Sequence, residues 1–145
     1  MPLSTDDIKQ TIRDRFALLM TAVPAANIFF EQYPEEPATL GGAPWFELYI
    51  KIGGINQVGF GSTGQGDRAF RSNSSITIYA NTPMGIGTSL CDQLVDAARD
   101  IFEGQVFDGT ACHIRVTSTS VPPAAPRNGY LTGAVMFTFW ADGFQ

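Results

Sequence analysis

Residues 59–64, with the sequence GFGSTG, have the spacing of a motif that can bind a nucleotide. In the motif G-x-G-x-x-G, a buried strand leads into a glycine turn, and the N-terminus of the next helix binds a pyrophosphate. Residues 65–68 (QGDR) follow here, and this stretch predicts no helix. The motif therefore indicates a flexible loop, and we expect no cofactor to bind there.

His113 is the only histidine, and it is a candidate for a general base or for the activation of a nucleophile. Its neighbour Cys112 lies in the same predicted strand, where adjacent side chains point to opposite faces, so a Cys–His pair is disfavoured. A metal site would need further ligands at suitable spacings, and the sequence lacks them. Cys91 is the only other cysteine, so a disulfide framework is not expected and the thiols are predicted to be reduced. These residues predict a protein that is not an enzyme and has neither catalytic nor metal-binding residues.

Charged side chains at regular spacings are better candidates for a binding surface. Asp92, Asp96 and Asp100 recur every four residues, which places them in one stripe on a helix. This stripe is either a solvated helix face or a surface that meets arginines of another subunit. Arginines beside predicted loops either add solubility or anchor a protein partner, a role for which arginine is enriched; these are Arg68, Arg71 and Arg127.

The composition limits the classes of protein to which these residues can belong. A chain of 145 residues fits a single domain over 1–145 that is large enough for a core. With 44% hydrophobic and 16% charged residues, it does not have the composition of a disordered tail. The net charge of −5 argues against general nucleic-acid binding. No apolar run approaches the ~18–20 residues of a membrane span, and the first residues lack a signal-peptide pattern.

Hydrophobic periodicity predicts the elements that position these side chains. Helices are predicted between residues 4 and 23 and between 88 and 103. Strands are predicted at 27–33, 45–52, 70–81, 112–120 and 130–141, with a glycine-rich excursion at 53–67 and a proline-rich loop at 121–129. The last strand is apolar on both faces, which predicts a central position in the sheet or cover by a partner. Together they predict an α+β fold, an antiparallel or mixed sheet with two helices on one face and a long glycine-rich loop between strands.

Short segments spread along the chain repeat a pattern known from one family. They are Asp6-Asp7-Ile8 in the first helix, PAANIFFE (24–31) entering the sheet, RSNSSITIY (71–79), PMGIG (83–87) before the second helix, Ile101-Phe102 at its end, Gly129-Tyr130, and VMFTF (135–139) in the last strand. In this order, over nearly all 145 residues, the chain resembles the tail terminator (tail completion) proteins of long-tailed bacteriophages. These include the lambda-like group and its relatives in prophages and gene transfer agents.

The resemblance implies a structural protein of the virion tail or neck, assembled in the cytoplasm of a host bacterium. Tail terminators form a ring of six subunits that caps the finished tail tube, ends its polymerisation and provides the head–tail joining surface. The implied partners are further copies of the chain, the major tail tube protein and a head completion or connector protein. DNA only passes through the lumen of such a ring, and the family has no catalytic residue to carry over.

A ring needs two different surfaces on each subunit. We expect the interface residues to be Gly59, Phe60, Gly61, Arg68, Arg71, Asp92, Asp96, Asp100 and Arg127. We also expect the stretch from Gly59 to Arg71 to reach a neighbouring subunit or the tube. Two alternatives stay open: another neck, head–tail connector or tail tube protein, and a small α+β ligand-binding domain or enzyme.

Overall fold

A computed structural model of the chain describes residues 3–31, 42–60 and 68–144. These residues form two α-helices and one sheet of eight strands. The elements are α1 (Thr5–Leu19), β1 (Ile28–Phe30), β2 (Trp45–Lys51), β3 (Ile55–Phe60), β4 (Arg68–Pro83), α2 (Ser89–Phe102), β5 (Val106–Asp108), β6 (His113–Ser120), β7 (Ala125–Arg127) and β8 (Tyr130–Phe144).

The sheet is mixed, with the strand order β1-β2-β4-β8-β6-β5. β1 runs parallel to β2, and the other pairings are antiparallel. β3 pairs with β4, and β7 pairs with β8, outside that path. The predicted α+β fold is confirmed, and β8 occupies the central position that its apolar faces predicted.

Residue types favour the start of α1 and the end of α2. The Ser4 hydroxyl accepts a hydrogen bond from the Asp7 amide at 3.1 Å and so caps α1. α2 follows Thr88 and ends at Phe102, and Gly104 adopts a φ of +66°, which is common just after a helix. Among the described residues, neither helix is long and apolar enough to cross a membrane.

One hydrophobic core lies between the helices and the sheet. Phe16 of α1 is at its centre, with its ring centroid 5.5 Å from Phe46 of β2 and 6.3 Å from Phe102 of α2. Phe102 in turn contacts Phe137 of β8 at 5.5 Å. These aromatic contacts join both helices to two strands of the sheet. The helical spacing of Leu19 predicts a place on the apolar face of α1, yet Leu19, the last residue of the helix, is 44% exposed.

The structure differs from the sequence-based expectation in three places. β3 lies inside the excursion at 53–67, where only a loop was expected, and its backbone pairs with β4. β5 and β7 were not predicted, since three residues are too few to display an alternating pattern. The alternation of apolar and polar residues over 45–52 predicts a strand buried on one side only, yet both Trp45 and Glu47 on the other side of β2 are fully buried.

The chain passes close to β4 at Gly53, between β2 and β3. The Gly53 amide donates to the Ser74 hydroxyl at 3.1 Å, and the Ser72 hydroxyl donates to the Gly53 carbonyl at 3.3 Å. A Cβ atom at this position would lie 2.0 Å from the backbone oxygen of Asn73. Only glycine therefore permits this approach to β4.

We predict that Gly53→Ala lowers the free energy of unfolding by about 1–3 kcal/mol, because the backbone must shift to relieve the contact. Urea unfolding followed by circular dichroism measures the change. Gly54→Ala is the matched control, since a Cβ there meets only the Asn56 amide nitrogen, at an ordinary 3.7 Å. Equal stabilities of the two variants would contradict the prediction.

Candidate functional site

The residues predicted to form an interface fall into separate parts of the fold. Gly59 and Phe60 are the last residues of β3, and Arg68 is the first residue of β4. Gly61 and most of the expected loop lie outside the described residues. After the glycine motif, the next described element is the strand β4, whereas a dinucleotide site would need a helix there.

The acidic stripe lies on the solvent side of α2. Asp92, Asp96 and Asp100 are all exposed, while the opposite side of the helix packs on the sheet. Arg99 on the same helix forms an ion pair with Glu103, with Nε 2.7 Å from Oε2. In the part of the chain that the structure describes, none of the three aspartates has a salt-bridge partner.

Arg71 forms its ion pair within the chain, on the side of the sheet that carries no helix. Its Nε and Nη2 atoms donate to the two oxygens of Asp142 at 2.7 and 2.9 Å. The guanidinium carbon lies 4.1 Å from the centroid of the Trp140 ring. Arg71 thus joins β4 to β8 at the C-terminal end of β8.

Arg127 also forms its ion pair within the chain, at the other end of β8. Its Nη1 atom donates to Oε2 of Glu47 at 2.6 Å, and its Nη2 atom donates to Oε1 at 3.4 Å. Its guanidinium carbon lies 4.6 Å from the centroid of the Tyr79 ring. This ion pair holds β7 and the proline-rich segment against the sheet.

Glu47 is a fully buried carboxylate, so its partners must offset the free-energy cost of burying its charge. Besides Arg127, it accepts hydrogen bonds from the Tyr49 hydroxyl at 2.7 Å and from the Asn81 amide at 3.0 Å. The Thr132 hydroxyl donates to the Asn81 carbonyl oxygen at 2.7 Å and extends the network to β8. We call Glu47, Tyr49, Asn81, Arg127 and Thr132 the Glu47 network. Burial, followed by the hydrogen bond and negative charge of Glu47, raises the pKa of Tyr49 to about 12.

The side of the sheet opposite the helices is here called the helix-free face. At the end of the sheet near Trp45, this face is covered by the Glu47 network and by two aromatic side chains, Phe29 and Tyr130. The rings of Phe29 and Tyr130 both pack edge-on against the Trp45 ring. Towards the other end it is open, and Met136 and Trp140 are 45% and 37% exposed.

The open part of the helix-free face forms a groove of about 380 Å³. Side chains of four neighbouring strands line it, among them Lys51, Asn73, Ser75, Thr117, Thr138 and Trp140. Arg115 of β6 is beside Trp140 in the register of the sheet, and both Lys51 and Arg115 are exposed. Among the described residues, neither of these cations has a carboxylate within salt-bridge distance.

His113 and Cys112 point to opposite sides, as predicted. The histidine is exposed and pairs with Asp108, with Nδ1 2.5 Å from Oδ1, while the thiol is buried. Burial raises the pKa of both Cys112 and Cys91, which disfavours the reactive thiolate at neutral pH. Within residues 3–31, 42–60 and 68–144, no group of three or more His, Cys, Asp or Glu side chains could hold a metal ion.

Sequence reasoning missed the Glu47 network and the two unpaired cations. A glutamate between Trp45 and Tyr49 on one strand face is a signal of a buried acid, since its neighbours on that face are large aromatic residues. Lys51 and Arg115 gave no such signal, because only the register of the sheet brings Lys51 into the groove and Arg115 into the adjoining pocket beyond Trp140.

Comparisons with known proteins show the fold and no function. No protein-family model and no curated protein matches the sequence. Twenty-six chains of solved structures match it. One of them, whose name says nothing about its role, is 17% identical and has a TM-score of 0.65, covering 97% of this chain and 96% of its own. At this identity, the likeness shows a shared fold over nearly the whole chain and nothing further.

We predict that Arg127→Leu lowers the free energy of unfolding by about 2–4 kcal/mol, because it leaves the Glu47 carboxylate buried without its cation. This expected loss of stability lies towards the lower part of the range for buried ion pairs, since the Arg127 side chain is 35% exposed. Adding Glu47→Gln to Arg127→Leu should restore part of the loss by removing the buried charge. Urea unfolding of the three chains measures both effects.

Arg99→Leu is the control for this experiment. It breaks an ion pair of similar geometry whose side chains are 44% and 40% exposed, so water screens the pair and the expected loss of stability is small. A loss in Arg127→Leu no larger than in Arg99→Leu would show that Glu47 does not depend on Arg127.

We also predict that Tyr49 ionises at a higher pH than a tyrosine of the unfolded chain. An unfolded tyrosine loses its proton near pH 10, whereas Tyr49 in the folded chain holds it to about 12. The contribution of Tyr49 to stability is therefore complete below about pH 10 and is lost as the pH rises to about 12. Absorbance titration of tyrosinate should show a late step that Tyr49→Phe removes. A wild-type titration without that step would contradict the prediction.

Proposed function

We propose that this protein is a structural component of a long-tailed bacteriophage, or of a related prophage or gene transfer agent, and acts as its tail terminator. A ring of its copies, six by resemblance to the family, caps the finished tail tube and ends polymerisation. The ring also provides the surface to which the head completion or connector protein joins. In this proposal the protein acts in the virion tail or neck, after assembly in the bacterial cytoplasm, and is not an enzyme.

The observation that carries this proposal is the pair of unlike exposed surfaces on opposite sides of one sheet. One side presents the acidic face of α2, and the other presents the open part of the helix-free face with Met136 and Trp140. Two different surfaces on one chain favour head-to-tail association, which gives a ring when the rotation between copies closes. Exposed large apolar side chains grouped on one face are typical of an interaction surface.

The arrangement of elements supports the same proposal. The segments that carry the resemblance fall on the elements expected for them: residues 71–79 on β4, 83–87 from the last residue of β4 through the turn before α2, and 135–139 on β8. The described candidate catalytic groups also fit a structural role, because His113 is exposed in a pair with Asp108 and both thiols are buried.

The test is assembly on tubes. We expect the purified chain, added to polymerising tail tube protein of the same phage or prophage, to stop elongation and to appear as one ring at one tube end in electron micrographs. Gel filtration with light scattering should give the mass of about six subunits for the ring alone. Tubes of unchanged length without an end ring would refute the proposal.

Other outcomes of this experiment identify the alternatives. Stacked rings formed by the chain alone would indicate a tail tube protein, because a terminator stops at one ring. A monomer that does not bind tubes, and whose melting temperature rises with a common metabolite, would indicate a ligand-binding domain or enzyme.

A further inference from the structure

We infer that the helix-free face of one copy binds the acidic face of α2 of the next copy, with Lys51 and Arg115 as the cations that meet Asp92 and Asp100. The inference deepens the proposed function and rests on it, since it names the surfaces that would join the ring. It replaces Arg71 and Arg127 as the partners expected for the acidic stripe, because both already form ion pairs within the chain.

Charge complementarity identifies the occupant of the groove. Although the chain has a net charge of −5, Lys51 lines the groove, and Trp140 is shared with an adjoining pocket that Arg71, His113, Arg115 and Asp142 also line. Arg71 is paired with Asp142 and His113 with Asp108, so Lys51 and Arg115 are the cations that these described carboxylates leave over. The exposed face of α2 is acidic, since Arg99 is already paired with Glu103 and leaves the three aspartates unbalanced. A second copy of the chain therefore supplies the charge that the groove lacks.

The dimensions of the two surfaces agree. Lys51 on β2 and Arg115 on β6 are separated by β4 and β8, which gives three strand spacings or about 14 Å across the sheet. Ser75, the partner of Lys51, pairs with Thr138, whereas Arg115 pairs with Trp140, so an offset of two residues makes the separation about 16 Å. Asp92 and Asp100 are eight residues apart on α2, which is about 12 Å along the helix. A helix laid across the strands can thus bring one carboxylate to each cation, within the reach of the long cationic side chains.

The polar and apolar side chains in the middle of the groove can contact the middle of the arriving helix. Asp96 would lie above the paired strands β4 and β8, where Asn73 and Ser75 offer side-chain donors. Trp140 and Met136 are exposed beside them, and the arriving helix would cover their apolar surface. Excluding water there strengthens the ion pairs at the two ends.

The two surfaces lie on opposite sides of the molecule, because the sheet separates α2 from the helix-free face. A contact between them is head-to-tail, so each copy uses both surfaces and the chain of contacts can close into a ring. A symmetric dimer would instead leave one of the two surfaces unused.

Charge reversal tests this interface in the full chain. Lys51→Glu/Arg115→Glu makes the groove acidic, and Asp92→Lys/Asp100→Lys makes the helix basic. We expect each variant to lose ring assembly and to elute as a monomer by light scattering, with the melting temperature close to that of the wild type. Mixing the two variants should restore the ring, because each groove then meets a helix of opposite charge.

Asp6→Lys/Asp14→Lys is the control for the change in net charge of the helix variant, since both residues are exposed on α1 and outside the stripe. It should assemble like the wild type. Because rescue requires two folded chains, recovery in the mixture also excludes misfolding as the cause of the loss.

The remaining outcomes separate this inference from the proposed function. Rings formed by both reversed variants, or a mixture of them that stays monomeric, would overturn the proposed interface. If the wild-type chain still forms rings on tubes, the terminator proposal stands. A wild-type chain that neither forms rings nor binds tubes would overturn the terminator proposal, and this interface with it.

Discussion

The antiparallel ladder between β4 and β8 is the constraint on which the rest of the structure depends. The 15 residues of β8 pair with β4 along their whole length. β2 and β3 pair with the outer edge of β4, while β6 and β7 pair with β8. An ion pair fixes the ladder near each end, Arg71 with Asp142 at one and Arg127 with Glu47 at the other. The first joins neighbouring strands, and the second reaches across from β7 to β2.

The ladder divides the molecule into two sides with different energetics. On the helix side, apolar burial holds α1 and α2 to the sheet, and aromatic rings such as Phe16 and Phe102 fill the core. At the covered end of the helix-free face, the packing of β7 against the sheet depends on one buried carboxylate, Glu47, and its hydrogen bonds. Burying Glu47 is favourable only while Arg127, Asn81 and Tyr49 stay in place, so the Glu47 network favours one position of the proline-rich segment over others.

The sequence predicted the elements whose patterns repeat several times. α1, α2, β2, β4, β6 and β8 are long enough for periods of 3.6 or 2 residues to be visible. β3 was hidden by the glycines on either side of it, and β5 and β7 by their length of three residues. Propensity within a short window cannot show a strand that exists because its partner pairs with it.

The candidate site was harder to predict than the fold, because its contacts join distant residues. The exposure of the acidic stripe on α2 follows from helical spacing and was among the alternatives foreseen. The ion pair of Glu47 with Arg127 spans 80 residues of sequence, and that of Arg71 with Asp142 spans 71. A strand's alternation places Glu47 on the helix-free face but does not tell what covers that face. Register, which the sequence does not display, decides which charged side chains find partners within the chain and which do not.

A sheet covered by helices on one side only has two chemically different sides, and this difference bears on how assembly can stop. In the proposed ring, each copy uses its acidic helix and its cationic groove to join its two neighbours, so no copy keeps either surface free once the ring closes. Further rings could then stack only through the rims, which consist of other residues. Because copies with a net charge of −5 repel one another wherever no such complementarity exists, stacking of identical rings is disfavoured. A protein that ends polymerisation needs both properties: its copies must close into one ring, and identical rings must repel one another.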